Sequence, residues 1–279
     1  MPADVIEKIG NSLIQHGPLN DRVYLMSMAK EDKPHIAETL ERISREKGYS
    51  KIFAKIPAGS LDCFVDHGYR IEARVPGLYL GREECLFLGR FLTPARAEEK
   101  NGDLKREVLE LALAAPQSEP GELTAEIQIK LLGKDDLEGL AALYTEVFAS
   151  YPFPVYDPGF LSSALSQGVV HLGAFKDGEL LGAAACEVDK KSMSAEMTDF
   201  AVHPLARGLG LSRHLLKAME KEMKRAGVLT LFTIARTLSH GMNLTFARAG
   251  YEFSGSLVNN TNISGAIESM NVWFKKTAA

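Results

Sequence analysis

The stretch Phe200 to Met223, FAVHPLARGLGLSRHLLKAMEKEM, constrains this chain more than any other. An apolar strand end passes through a proline-marked turn into Arg207-Gly208-Leu209-Gly210-Leu211-Ser212, and a long amphipathic pattern follows. Glycine adopts left-handed backbone freely and has no Cβ to hold a ligand away, so Gly208 and Gly210 predict a tight, approachable loop. The helix behind the loop aims unpaired N–H groups and the positive end of its dipole at whatever sits there, which suits a phosphate. Strand, glycine loop and helix therefore predict a phosphate cradle.

Two common cradles fit poorly. A Walker A loop needs Gly-Lys-Ser/Thr, whereas Gly210 is followed by Leu211 and Ser212. A dinucleotide fingerprint needs a third glycine within a parallel sheet. Arg213 fills that position here, and the surrounding strands read as partly antiparallel.

Around the cradle the chain divides in two. Residues 1–93 read as β-α-β-α-β-β: strands near Asp21–Met28, Lys51–Ile56, Arg70–Val75 and Glu84–Leu92, with helices near Ile36–Gly48 and Leu61–His67. Residues 94–122 read as a linker, with a charged run, a short helix over Leu104–Ala115 and the turn-rich PQSEPGE. Residues 123–279 resume with a strand at Glu126–Leu131 and a helix to Phe148, then SYPFPVYDPG, whose prolines exclude regular helix. Later strands are expected at 169–176, 179–188, 194–202, 229–235, 252–258 and 266–274. The fold class is α/β (α+β), with a mixed, largely antiparallel sheet in the second unit. Phe-x-x-x-Gly-Tyr occurs at Phe64–Tyr69 and again at Phe246–Tyr251, in the same order of elements. That echo suggests a truncated structural duplicate without a glycine loop.

Composition narrows the function classes. A net charge of −4 argues against a dedicated nucleic-acid or anionic-membrane binder. Cys63, Cys85 and Cys186 have no metal or disulfide spacing, which fits a reducing interior, and no metal is expected. The N-terminus lacks the apolar core of a signal peptide. No stretch approaches the ~18 apolar residues of a membrane span, so a cytoplasmic protein is expected.

Arg207-x-x-Gly210-x-Ser212 resembles the motif with which GNAT-type N-acetyltransferases hold the pyrophosphate of acetyl-coenzyme A. AEMTDFAVHP before it resembles their fourth strand, and Ser239–Tyr251 resembles their later helix ending in Gly-Phe/Tyr. Over nearly the whole chain, DRVYLM, KGYSKIFAKIPA, HGYRIEARVPGLYLG, YPFPVYDP and VNNTNISG resemble the beta-lysine N6-acetyltransferases. The resemblance implies a C-terminal GNAT fold preceded by a truncated GNAT-like unit. It implies acetyl transfer from acetyl-coenzyme A to the side-chain amine of (S)-beta-lysine, giving a compatible solute. It also implies cofactor contacts from Phe200, Ala201, Val202, the loop Arg207 to Ser212, Ser239 and Asn243, with a backbone N–H near Val202 as oxyanion donor.

A lysine-like amine, of pKa ~10.4, is protonated at neutral pH, and freeing it at pH 7.5 costs about 4 kcal/mol. A base is therefore expected. Glu196 is the first candidate, because it falls where related enzymes carry a catalytic Glu; Asp199 is the alternative base or a charge partner for the ammonium. On a regular strand the two point to opposite faces, so both can reach one site only across a bulge. The substrate is expected against Tyr151, Phe153 and Tyr156, against Asn259 and Asn260, and against the first unit. Arg213 and Lys217 could add phosphate contacts. Two departures from the family pattern stand out: Ser212 replaces Gly or Ala, and Phe246 replaces a Tyr that protonates the leaving thiolate. Other acceptors (a polyamine, another diamino acid, a protein lysine) and a non-catalytic acetyl-coenzyme A sensor stay open, as does a homodimer.

Overall fold

The computed structural model describes residues 4–277. A hairpin of β1 (Val5–Ile9) and β2 (Ser12–Gly17) opens the chain and pairs onward to β3 (Arg22–Ser27). Sequence reading began the first unit at β3 and missed this hairpin, whose first strand is mostly exposed and carries little apolar periodicity. Helix α1 (Ile36–Lys47) follows, stopped at Gly48 in the left-handed conformation, then β4 (Lys51–Pro57), α2 (Asp62–Val65), β5 (Arg70–Tyr79) and β6 (Glu83–Phe91). The residues read as a linker form α3 (Pro94–Ala97) and α4 (Gly102–Leu113) and are packed in place. Val108 and Ala112 of α4 are buried, and Arg96 donates from Nε to the Asn259 carbonyl (2.8 Å) and from Nη2 to the Asn20 carbonyl (2.8 Å).

The second half comprises β7 (Ile127–Leu131), α5 (Leu137–Val147), α6 (Pro158–Ser166), β8 (Val170–Lys176), β9 (Glu179–Asp189) and β10 (Ser194–Val202). It continues with α7 (Leu211–Arg225), β11 (Thr230–Arg236), α8 (His240–Arg248), β12 (Glu252–Ile263) and β13 (Ala266–Lys276). The last two strands run longer than the pattern predicted, β12 to Ile263 and β13 to Lys276.

Among the described residues thirteen strands form one sheet, ordered β1-β2-β3-β4-β6-β5-β12-β13-β11-β10-β9-β8-β7. The two halves have the same plan. In each, a parallel pair (β3 with β4, β10 with β11) is followed by an antiparallel hairpin (β5 with β6, β12 with β13). The halves meet edge to edge where Gly255 on β12 pairs with Ala73 on β5. Gly255 has φ +148, and a Cβ there would lie 2.2 Å from the Glu72 carbonyl oxygen, so the seam requires glycine. Buried Lys51 clamps the seam, donating to Glu72 (2.9 Å) and to the Val258 carbonyl (2.6 Å).

Packing follows that symmetry. Val23, Leu25, Ile52 and Leu88 bury one face of the first half under α1 and α2, while Leu215, Leu216 and Met219 of α7 cover the second half. The opposite face is shared: Tyr24, Phe53 and Phe87 from the first half join Phe232, Met270 and Phe274 from the second. The Phe87 and Phe232 rings are 6.1 Å apart. This internal face between the halves positions the site.

Candidate active site

β10 is held by β9 on one side and β11 on the other, but only its start is held on both. Its parallel pairing with β11 covers Ser194, Ala195 and Glu196 and then stops, although both strands continue. The strands diverge, and the free backbone edge of β10 faces a cleft of about 220 Å³ whose walls include Phe200, Arg207, Ser239 and Phe246. Below the cleft, Pro204–Ala206 forms one 3-10 turn and the chain enters the loop, with Gly208 at φ +90 and Gly210 at φ +70. Nothing lies within 4 Å of where a Cβ would stand on either glycine. The N–H groups of Gly208, Gly210, Leu211 and Ser212 have no partner among the described residues. An open, donor-rich loop beneath a splayed strand edge fits the pyrophosphate and pantetheine arm of acetyl-coenzyme A: the loop N–H groups would hold the phosphates and the β10 edge the amides.

β10 also carries a bulge between Thr198 and Ala201, where its register with β9 shifts, and Asp199 takes the left-handed φ of +55. Asp tolerates this conformation better than most residues, and the bulge adds twist and re-aims the side chain. Glu196 and Asp199, two carboxylates that a regular strand would send apart, thus line one cavity of about 110 Å³. Glu187 on β9 joins them, and Lys55 and Tyr24 face them from the first half. Tyr151, Thr198 and Asp199 border both the cleft and the cavity, so the two spaces meet there.

The electrostatics follow from this crowding. Burial pushes the half-buried Glu196 carboxyl up to about 7, with Lys55 opposing and Asp199 adding to the shift. Glu187 is raised by burial and then by its two acidic neighbours, Glu196 and Asp199, with Lys55 opposing. Asp199 is raised by burial but accepts hydrogen bonds from the Tyr151 hydroxyl and from Thr198 Oγ1 (3.1 Å), both of which favour its ionised form. Burial opposes the charge on Lys55, but Tyr24 and the facing carboxylates outweigh it and hold the ammonium above the usual lysine range.

Several expected site residues have other work. Asn243 is fully buried: its amide donates to the carbonyls of Arg236 (3.0 Å) and Ser239 (2.8 Å), and its Oδ1 accepts from Asn271 and Trp273 Nε1. It locks α8 to β13 and has no group left for a cofactor. Asn259 spends its side-chain amide on the carbonyls of Arg96 and Glu98, which removes it from the substrate wall. Tyr156 donates to the Phe148 carbonyl (3.2 Å) inside the loop core and stands off the cavity. Arg213 and Lys217 hold Ser118 and Glu119. Phe200 and Ser239 line the cleft, Phe153 and Asn260 line the cavity, and Ala201 and Val202 pair with Ala183 and Gly182 of β9. Phe246 is buried edge-on to Phe200 and Tyr251, so no proton donor stands at that place. The sequence reading missed Arg22, Tyr24, Lys55 and Glu187. Arg22 and Tyr24 do lie two apart on β3, one face of a strand, and that alternation was the available signal.

Comparison with known proteins gives the class first: residues 137–251 match the acetyltransferase (GNAT) family. Enzymes of this class take their acyl group from acetyl-coenzyme A, so the chain is an acetyl-coenzyme A-dependent N-acetyltransferase. It is 36% identical to the beta-lysine N6-acetyltransferase of Methanococcus maripaludis over 270 residues, 97% of this chain and 98% of that protein, and it belongs to that family. It is also 28% identical to the beta-lysine N6-acetyltransferase of Methanosarcina mazei over 76% of this chain and 78% of that one. N-acetyltransferase YodP of Bacillus subtilis is 31% identical over 74% of each chain.

Proposed function

We propose that this protein transfers the acetyl group of acetyl-coenzyme A to the side-chain amine of (S)-beta-lysine, giving N6-acetyl-beta-lysine by direct attack within a ternary complex. One observation carries the reading. The match to the Methanococcus maripaludis enzyme spans both halves, and the cavity takes its walls from both. The product would carry one carboxylate and one ammonium, a net-neutral zwitterion suited to accumulate as a compatible solute.

Glu196 is the base. An acid of pKa about 7 stands ~3 units below a lysine-like amine, against ~6 for an ordinary carboxylate, so the proton transfer costs less by roughly 4 kcal/mol or somewhat under. Glu196 has no hydrogen-bond partner among the described residues, so its oxygens are available to the ammonium. Asp199, fixed by Tyr151 and Thr198, holds the positive amine at the mouth of the cleft. The free edge of β10 offers N–H groups to the developing oxyanion. The leaving thiol, of pKa ~8.5, needs little acid help near neutrality, so the loss of a donor at Phe246 is tolerable.

The test is steady-state release of coenzyme A with acetyl-coenzyme A and beta-lysine, with the product's acetyl position read by NMR. Acetylation at N6 is expected; turnover no faster than thioester hydrolysis overturns the proposal.

A further inference from the structure

We infer that the first half of the protein reads the acceptor's carboxylate. Arg22 on β3 anchors that carboxylate, and Asn260 on β12 takes the neighbouring ammonium, so the site selects free diamino acids over polyamines. This rests on the amine-acetylation reading above and names which acceptor atoms the cavity recognises.

The argument starts from two polar groups left without partners on one wall of the cavity. Arg22 is 4% exposed. Its Nη1 donates to the Asn260 carbonyl and to Thr261 Oγ1 (3.1 Å), but its Nε is buried without a partner. Asn260 is 1% exposed, and its Oδ1 is likewise buried and unsatisfied. A lone donor on a cation and a lone acceptor beside it are complementary to a carboxylate and an ammonium.

Leaving either orphaned is costly, and a buried guanidinium without an anion is costlier still. Arg22 forms no ion pair among the described residues. Two acids that act on it are committed elsewhere: Glu72 to Lys51 (2.9 Å) and Asp4 to Leu19 and Asn20. Burial accordingly pulls the Arg22 pKa down to about 10. Its guanidinium lies over the rings of Tyr24 (5.2 Å) and Phe53 (5.4 Å), which fix the plane of the fork for bidentate recognition.

Charge supports the same acceptor. Arg22 and Lys55 share the cavity with Glu187, Glu196 and Asp199, so it offers cationic and acidic groups side by side. A diamino acid with two ammoniums and one carboxylate carries a single positive charge. A polyamine would satisfy the acids but leave Arg22 facing a cation.

The experiment measures kcat/KM at saturating acetyl-coenzyme A for three acceptors: beta-lysine, 6-aminohexanoate (no beta-amine) and pentane-1,4-diamine (no carboxylate). The wild type is expected to favour beta-lysine over the diamine by ~100-fold or more, as for a desolvated charge pair. Arg22→Gln is expected to lose about that factor on the two carboxylate-bearing acceptors, leaving the diamine and the KM for acetyl-coenzyme A within about threefold. Asn260→Leu is expected to erase the preference for beta-lysine over 6-aminohexanoate. Equal losses on all three acceptors, or a wild type that uses the diamine as well as beta-lysine, overturn the inference. If beta-lysine is inert but another amino acid is acetylated, the proposed substrate fails while the same comparison, made with that amino acid and its decarboxylated form, still decides Arg22. If Arg22→Gln does not fold, Arg22→Lys is expected to lose about tenfold on carboxylate-bearing acceptors alone, and a uniform loss overturns the anchor.

Discussion

Tyr151 donates its phenol hydrogen to the carboxylate of Asp199, and that bond ties the proline-rich loop to the β10 bulge where the donor cleft meets the acceptor cavity. The loop could not be helix and the bulge could not be regular strand; each irregularity holds the other in place.

The bond can be removed without removing the ring. Tyr151→Phe keeps the tilted ring contact with Phe148 (4.6 Å between centroids) but deprives Asp199 of a donor. The expected result is a fall of ~10-fold in kcat/KM for the acceptor, about the worth of one hydrogen bond to a charge. The KM for acetyl-coenzyme A should not change, and an equal rise in both KM values would count against the arrangement.

Glu196→Gln is expected to lower kcat by ~10²–10³ near neutral pH, the usual contribution of a general base. In the wild type, log kcat/KM should climb as pH rises through about 7, where Glu196 ionises. The variant's profile should lack that limb. Full activity across the range would transfer the role to Asp199.

The same carboxyl affects stability in the opposite sense. A folded-state pKa of about 7, above the ~4.3 of a free Glu, means the native state binds the extra proton between those values. Its stabilising contribution is therefore complete below about pH 4.3 and is lost as pH rises through about 7. Allowing for cavity water, this is worth about 1–2 kcal/mol. Melting curves of ligand-free protein should show Glu196→Gln gaining on the wild type by that amount between pH 5 and 8; a constant difference refutes the shift.

Gly210 opens α7 at φ +70, with open space where a Cβ would point. Gly210→Val should cost ~1–2 kcal/mol in backbone strain and raise the KM for acetyl-coenzyme A at least ~10-fold. The acceptor preference measured at saturating donor should not move.

Asn243→Leu separates architecture from catalysis. It leaves Trp273 Nε1 and the Asn271 amide without their acceptor inside the core, so a loss of about 2–4 kcal/mol in unfolding free energy is expected. Below the new melting temperature, kinetic constants should stay within a factor of a few. A selective loss of acetyl-coenzyme A affinity would restore Asn243 to the cofactor site.

The glycine loop and the helix behind it were legible because their signal is local. Gly208, Gly210 and the apolar spacing of α7 encode loop and helix within a few residues. The acceptor half was not, because its geometry is tertiary. Glu196 and Asp199 read as opposed on a strand until the bulge turns one of them, and β9's different register is what creates it. Arg22, Tyr24 and Lys55 lie more than a hundred residues from Glu196 and reach it only because β5 docks on β12. Asn243 misled for a related reason: family spacing placed it at the cofactor, while Trp273 and Asn271 claim its oxygen.

The seam at Gly255 and Ala73 divides heredity as well as space. Every residue lining the cleft is encoded after residue 146, whereas Arg22, Tyr24 and Lys55 of the cavity are encoded before residue 56. Substituting Arg22 or Tyr24 would alter the acceptor wall without touching any residue that lines the cleft. The acceptor wall can therefore be rebuilt on one side of the seam while the cleft on the other side is left as it is.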